Sequence, residues 1–147
     1  ITSEIKPGMT NVPIMEEPVY VAIPKTHPLA KKETLQLDDI RRTPMLMLSK
    51  NNAFRHTLDV ALEAKNIELT ISSSTDDPAT LRSILRQGLA ISFFPKISWS
   101  YDENDPFVLR EIEDLPLSRT IYLSTTFTKD HPLTKMISKT LKEFYLN

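Results

Sequence analysis

Short apolar segments alternate with polar, proline-containing segments along most of the chain. Six segments have the length and apolar content of β-strands, and they lie at residues 19–23, 45–48, 67–71, 89–94, 108–112 and 121–126. Residues 1–18 are polar and contain Pro7, Pro13 and Pro18, so we expect no regular element before residue 19.

Helical spacing of apolar residues marks the segments between these strands. The clearest helical spacing predicts a helix of roughly four turns, and its apolar residues are Phe54, Leu58, Ala61 and Leu62. Asp77 is expected to cap a second helix that has Pro78 at its first position and ends at Gly88. Pro132 opens a terminal helix, and residues 37–40 form a short amphipathic piece. Strands that alternate with helices predict an α/β fold with a largely parallel sheet.

Composition narrows the function classes. The 147 residues carry a formal net charge of −1, which argues against a broad nucleic-acid-binding surface. The absence of cysteine excludes disulfides, thiolate nucleophiles and cysteine-based zinc sites. The two glycines do not form a nucleotide-binding loop, and no apolar run is long enough to span a membrane. Because the chain starts at Ile1 and has no leader-like segment, it reads as a fragment.

Two motifs and the order of the elements resemble the effector-binding domain of LysR-type transcriptional regulators. Residues 17–24 (EPVYVAIP) followed by KTHPLA match the family's strand, proline and HPLA passage. Residues 88–95 (GLAISFFP) match its passage of helix, GLGI, two apolar residues and proline, with Ala90 where the family often has a second glycine. The strand at residues 121–126 and the helix from Pro132 resemble the returning strand and closing helix.

The resemblance implies a type II periplasmic-binding-protein-like α/β fold with two lobes and a ligand cleft between them. Residues 25–118 would form the complete second lobe, and residues 1–24 and 119–147 would be remnants of the first lobe with its crossing strands. The resemblance further implies a cytoplasmic, homo-oligomeric regulator that acts on DNA only through a helix-turn-helix domain absent from this chain. A solute-binding protein of a transport system and a small α/β enzyme are the alternatives.

Candidate effector-binding residues lie at two predicted strand ends. Ser49, Lys50, Asn51 and Asn52 follow the strand at residues 45–48 and precede the helix that bears Arg55. Hydroxyl, amide and cationic groups beside a helix N-terminus suit a carboxylate or a similar anion. The alternative is that Ser49 or Asn51 only caps the helix, while Lys50 and Arg55 are solvated.

Thr75 is the candidate ligand in the second predicted strand-end loop, residues 72–77. Asp77 is expected to be the helix cap there, and a serine cluster is also typical of an ordinary polar turn. The two strand ends together predict an effector that is a small anion or polar metabolite.

Other chemistry is not supported by the sequence. The pattern K-x-H-P-L-x-K occurs at residues 25–31 and 129–135, but neither histidine has a second ligand at helical spacing, so we expect helix or turn starts and no metal. Trp99 and Tyr101 are followed by acidic residues, which favours core packing or a pocket wall over a nucleic-acid platform. No catalytic motif is present, and we expect no cofactor and no enzyme activity.

Overall fold

The computed structural model describes all 147 residues and divides them into two compact units. One unit comprises Ile1–Glu17 and Ser118–Asn147, and the other comprises Pro18–Leu117. The strands are β1 (Thr10–Pro24), β2 (Met45–Leu48), β3 (Ile71–Thr75), β4 (Ser92–Pro95), β5 (Phe107–Arg110) and β6 (Leu117–Thr125). The helices are α1 (Leu37–Arg41), α2 (Ala53–Glu63), α3 (Pro78–Arg86) and α4 (Pro132–Leu146), with a 3₁₀ helix at Pro28–Lys31.

The sheet pairing is mixed, and the prediction of a largely parallel sheet is wrong. Strand β1 pairs antiparallel with β4 and with β5, and it also pairs with β6. Strands β2 and β3 pair in parallel, in a separate two-stranded sheet. Several strands pair with the one long strand β1, and β4 and β5 run antiparallel to it. The order of strands and helices along the sequence does not reveal these directions.

Strand β1 starts nine residues before the predicted position, at Thr10 instead of residue 19. Val12 and Ile14 are buried on one face of this strand, and Met15 is buried on the other. The segment is therefore packed on both faces, which its polar content does not suggest. Proline removes one donor but its backbone angles fit an extended strand, so Pro13 and Pro18 exclude helix without excluding β-structure.

Strand β3 is also displaced, because it covers Ile71–Thr75 and not residues 67–71. Asn66 has a positive φ of 55°, and the amide of Ile67 donates to the carbonyl of Leu62, so this segment closes the end of α2. The serines predicted as a loop instead pair with β2, and the Ser72 hydroxyl donates to the carbonyl of Met45 at 3.1 Å. Most of β3 is exposed, so it lacks the apolar alternation of a half-buried strand.

Helix α2 has 11 residues, about three turns instead of the predicted four. The caps follow the sequence more closely. Asp77 caps α3 with Pro78 at its start, and Gly88 has a φ of 68° just after the helix, as expected.

Aromatic side chains fill the core of the unit formed by Pro18–Leu117. Trp99 is buried and packs edge-on against Phe54 and Phe94, with ring centroids 5.7 and 5.4 Å apart. Phe94 also lies 5.4 Å from Phe107. The core interpretation of Trp99 is therefore confirmed, because a buried ring is not a stacking platform for bases.

The other unit contains a buried ion pair and an exposed apolar helix. Arg119 Nε lies 2.9 Å from Oε2 of Glu17. On α4 the only buried residue is Thr134, whereas the apolar side chains of Met136 and Phe144 are 57% and 76% exposed. No helix in the structure has both the length and the apolar character needed to cross a membrane.

Candidate functional site

Two parallel strands bring the predicted site segments together. Leu48 and Thr75, the last residues of β2 and β3, are paired in the ladder. The backbone amide of Ser49 then donates to the carbonyl of Thr75 at 2.9 Å. Carboxyl ends of parallel strands meet at one edge of a sheet, and ligands of α/β folds commonly bind there. We call Ser49, Lys50, Asn51, Asn52 and Thr75 the strand-end cluster.

The loop of the cluster ends in a helix cap. Asn52 Oδ1 accepts hydrogen bonds from the amides of Phe54 at 2.9 Å and Arg55 at 3.4 Å. The cap of α2 is therefore Asn52, and the alternative that Ser49 or Asn51 caps the helix is wrong. A side-chain oxygen reaches the second and third amides of a helix only from the residue directly before it. Ser49 instead uses its carbonyl to accept from the amide of Asn52 at 3.0 Å.

The cluster residues differ in their accessibility. Lys50 and Asn51 are exposed, while Ser49, Asn52 and Thr75 are half-buried. The Thr75 hydroxyl accepts from the amide of Asp77 at 3.3 Å, and its own proton is free to be donated elsewhere. The cluster therefore offers hydroxyl, amide and ammonium donors at one edge of the sheet.

The neighbouring N-terminus of α3 already carries a negative charge. Asp77 accepts from the Thr80 hydroxyl at 2.7 Å and from the amides of Ala79 and Thr80. These hydrogen bonds, with that of the Thr80 hydroxyl first, hold the pKa of Asp77 below its ordinary value. Helix α2 has a neutral asparagine cap instead, so its positive end is the one that can accept an external anion.

Arg55 lies behind the loop and is not solvated, contrary to the alternative in the sequence analysis. Its Nη1 donates to the carbonyl of Leu48 at 2.9 Å, and its Nε donates to Asp59 Oδ1 at 2.7 Å. The side chain is only 6% exposed. The sequence signal for this arrangement is the spacing of four residues between Arg55 and Asp59 on one helix face.

The two K-x-H-P-L-x-K segments have a structural role. Nδ1 of His27 accepts from the amide of Leu29, and Nδ1 of His131 accepts from the amide of Leu133, both at 3.2 Å. Each histidine thus caps a helix whose first residue is proline, which confirms the interpretation as helix starts. No group of three or more His, Cys, Asp or Glu side chains is placed to hold a metal ion.

Comparison with known proteins agrees with this architecture. The family model described as the LysR substrate binding domain matches residues 2–143. A Bacillus subtilis protein described as the uncharacterized HTH-type transcriptional regulator YybE is 30% identical over 86 residues, which are 58% of this chain and 30% of that protein. A probable RuBisCO transcriptional regulator from Cyanophora paradoxa is 23% identical over 136 residues, or 89% of this chain and 42% of that protein. The chain thus spans less than half of these regulators.

Solved structures share the fold. The effector binding domain of QuiR in complex with shikimate superposes with a TM-score of 0.76 at 22% identity, covering 97% of this chain and 68% of that one. The CcmR regulatory domain of Synechocystis PCC6803 in complex with 2-PG gives a TM-score of 0.79 at 15% identity, covering 100% of this chain and 72% of that one. These effector domains have the type II periplasmic-binding-protein-like fold, and the matching family model covers almost the whole chain. The chain therefore belongs to the LysR substrate-binding domain family.

Proposed function

We propose that this chain is the effector-sensing part of a LysR-type regulator and that it binds a small anionic or polar metabolite at the strand-end cluster. The cluster comprises Ser49, Lys50, Asn51, Asn52 and Thr75. The observation that carries the proposal is the 2.9 Å hydrogen bond from the Ser49 amide to the Thr75 carbonyl, because it unites two strand ends that are far apart in sequence. Family membership supplies the regulatory context.

Electrostatics support an anionic ligand. The N-terminus of α2 is positive, Asn52 caps it without adding charge, and Lys50 is exposed beside it. Asp77 occupies the equivalent position on α3, so the two helix ends are not interchangeable. We therefore assign the anionic group of the ligand to the α2 side and a hydroxyl contact to Thr75.

The similar structures indicate the ligand size but not its identity. QuiR and CcmR effector domains were solved with shikimate and 2-PG, both small polar molecules. Carried over to this chain, they favour a metabolite of that size class.

Regulation follows from ligand-dependent populations. A ligand that binds one arrangement of the domain better than another shifts their equilibrium, and this shift would reach DNA through a helix-turn-helix domain of the full-length protein. The proposal therefore includes self-association, a cytoplasmic location where DNA is accessible, and a binding role instead of a catalytic one. It retains residues 25–118 as one lobe and residues 1–24 and 119–147 as parts of the other.

A titration followed by NMR tests the proposal. Shikimate and inorganic phosphate are added separately to the ¹⁵N-labelled chain, and backbone amide shifts are followed. We expect saturable shifts at residues 49–52 and 75 with at least one probe. Saturable shifts confined to other residues would place the ligand elsewhere and contradict the assignment.

A further inference from the structure

We propose that Arg55 is a positioning residue that orients the peptide group between Leu48 and Ser49, and thereby the anion-binding donors of the strand-end cluster. The inference rests on the proposed function, since it assigns a role at the same site. Arg55 itself is not placed in contact with the effector.

The position of Arg55 is electrostatically unfavourable for a cation. The residue lies in the first turn of α2, where the helix dipole disfavours a cation, and its side chain is only 6% exposed. A buried charge is tolerated only when it is paired and hydrogen-bonded. Asp59 supplies the pairing through a 2.7 Å contact with Nε. The second hydrogen bond, from Nη1 to the backbone carbonyl of Leu48, indicates the structural role of the buried cation.

That second bond fixes one particular peptide group on both sides. The carbonyl of Leu48 accepts from Arg55 Nη1 at 2.9 Å. The amide of Ser49 belongs to the same peptide group and donates to the carbonyl of Thr75 at 2.9 Å. With both of its polar atoms bound in opposite directions, the peptide plane cannot rotate without breaking a hydrogen bond. The orientation of this plane sets the direction in which Ser49 leaves the strand.

A lysine could not replace this arrangement. The guanidinium presents donors in a planar fork, so it reaches Asp59 and the Leu48 carbonyl at the same time. A lysine at this position keeps the charge but offers a single flexible ammonium group. Arg55→Lys therefore separates charge from geometry, whereas Arg55→Gln removes both.

Hydrogen exchange in the ligand-free chain tests the positioning role. We expect Arg55→Gln and Arg55→Lys to accelerate exchange of the Ser49 amide, relative to amides near the C-terminal end of α2, by about tenfold or more. The control is Glu63→Gln, which removes an exposed charge from the same helix and leaves both hydrogen bonds of Arg55 intact, so the Ser49 amide should remain within about threefold of the unmodified chain. Equal acceleration at all amides, or the same local effect in Glu63→Gln, would overturn the inference.

Calorimetric titration with shikimate and with inorganic phosphate gives the functional readout, at a temperature where every variant is folded. We expect Arg55→Lys to weaken binding about tenfold although the charge is retained, and Glu63→Gln to change it less than about threefold. Full affinity in Arg55→Lys would overturn the inference and leave the proposed function intact. If the unmodified chain binds neither probe at the cluster, the proposed function fails and this inference fails with it. If Arg55→Gln does not fold, Arg55→Lys alone decides between these outcomes.

Discussion

Arg119 Nε and Glu17 Oε2 are 2.9 Å apart, and the Glu17 side chain is completely buried. The two residues lie on β6 and β1, which pair with each other. A buried carboxylate needs this partner because its hydration has been lost. Next to them, the Ser118 hydroxyl donates to Glu16 Oε1 at 2.8 Å, so polar contacts continue along the same two strands.

Removing one member of this pair should destabilise the chain strongly. We expect Arg119→Met to lower the free energy of unfolding by about 3–5 kcal/mol, since it removes the guanidinium that lies 2.9 Å from the buried Glu17 carboxylate. The double variant Glu17→Met with Arg119→Met should recover most of that loss. Urea unfolding of the single and double variants measures both values. A double variant as unstable as the sum of the single variants would show that the two charges are not coupled.

Asp77 should make stability depend on pH. Its pKa is lowered in the folded chain by the Thr80 hydroxyl and the amides of Ala79 and Thr80. The stabilisation is therefore complete above the ordinary aspartate pKa of 3.8 and is lost as the pH falls through the lower, folded value. Asparagine caps helices without titrating, so Asp77→Asn should lose this part of the acid dependence. Identical acid unfolding profiles for the two chains would contradict the prediction.

The exposed apolar side chains of helix α4 lead us to expect that the chain self-associates. Met136, Ile137 and Phe144 are exposed on it, and such apolar surface tends to be covered by another chain. We expect light scattering to give a mass above 16.8 kDa that rises with concentration, and the double variant Met136→Lys with Phe144→Lys to reduce it. The exposed Lys139→Ala on the same helix serves as a control that leaves the apolar residues intact. A monomer at every concentration would contradict the prediction.

The chain alone should not select an operator. Its net charge of −1 gives no general excess of cations for phosphate contacts. We expect no sequence-selective shift of operator DNA at physiological salt in an electrophoretic assay. Selective retention by the 147-residue chain would require a recognition element within it and would contradict the division of labour proposed above.

Local signals predicted the helix starts better than the strand pairing. Asp77 with Pro78, and each histidine followed by proline, act as caps through contacts within two or three residues, so the sequence contains the whole interaction. The direction and partners of β1 depend on segments far along the chain, such as β4 and β5, and no local pattern encodes them.

The candidate site shows the same division. The position of Ser49 and Thr75 near strand ends follows from sequence spacing. The bounds of β3 do not, because its exposed serines lack the apolar alternation that marks a strand. The sequence does not decide whether the Arg55 side chain is solvated or buried, because the direction of a helical side chain depends on what the helix packs against. Its hydrogen bond to Leu48 becomes visible only once α2 and β2 are placed side by side.

The most direct test of the central claim is a comparison of ligand affinities among Ser49→Ala, Thr75→Val and Ser74→Ala. Ser74 is the matched control because it precedes Thr75 on β3 and points to the opposite face of the strand. The probe is whichever of shikimate and inorganic phosphate the unmodified chain binds more tightly, measured by calorimetric titration. We predict that Ser49→Ala and Thr75→Val each weaken binding about tenfold, while Ser74→Ala changes it by less than about threefold. Unchanged affinity in both Ser49→Ala and Thr75→Val would contradict the placement of the effector at the strand-end cluster.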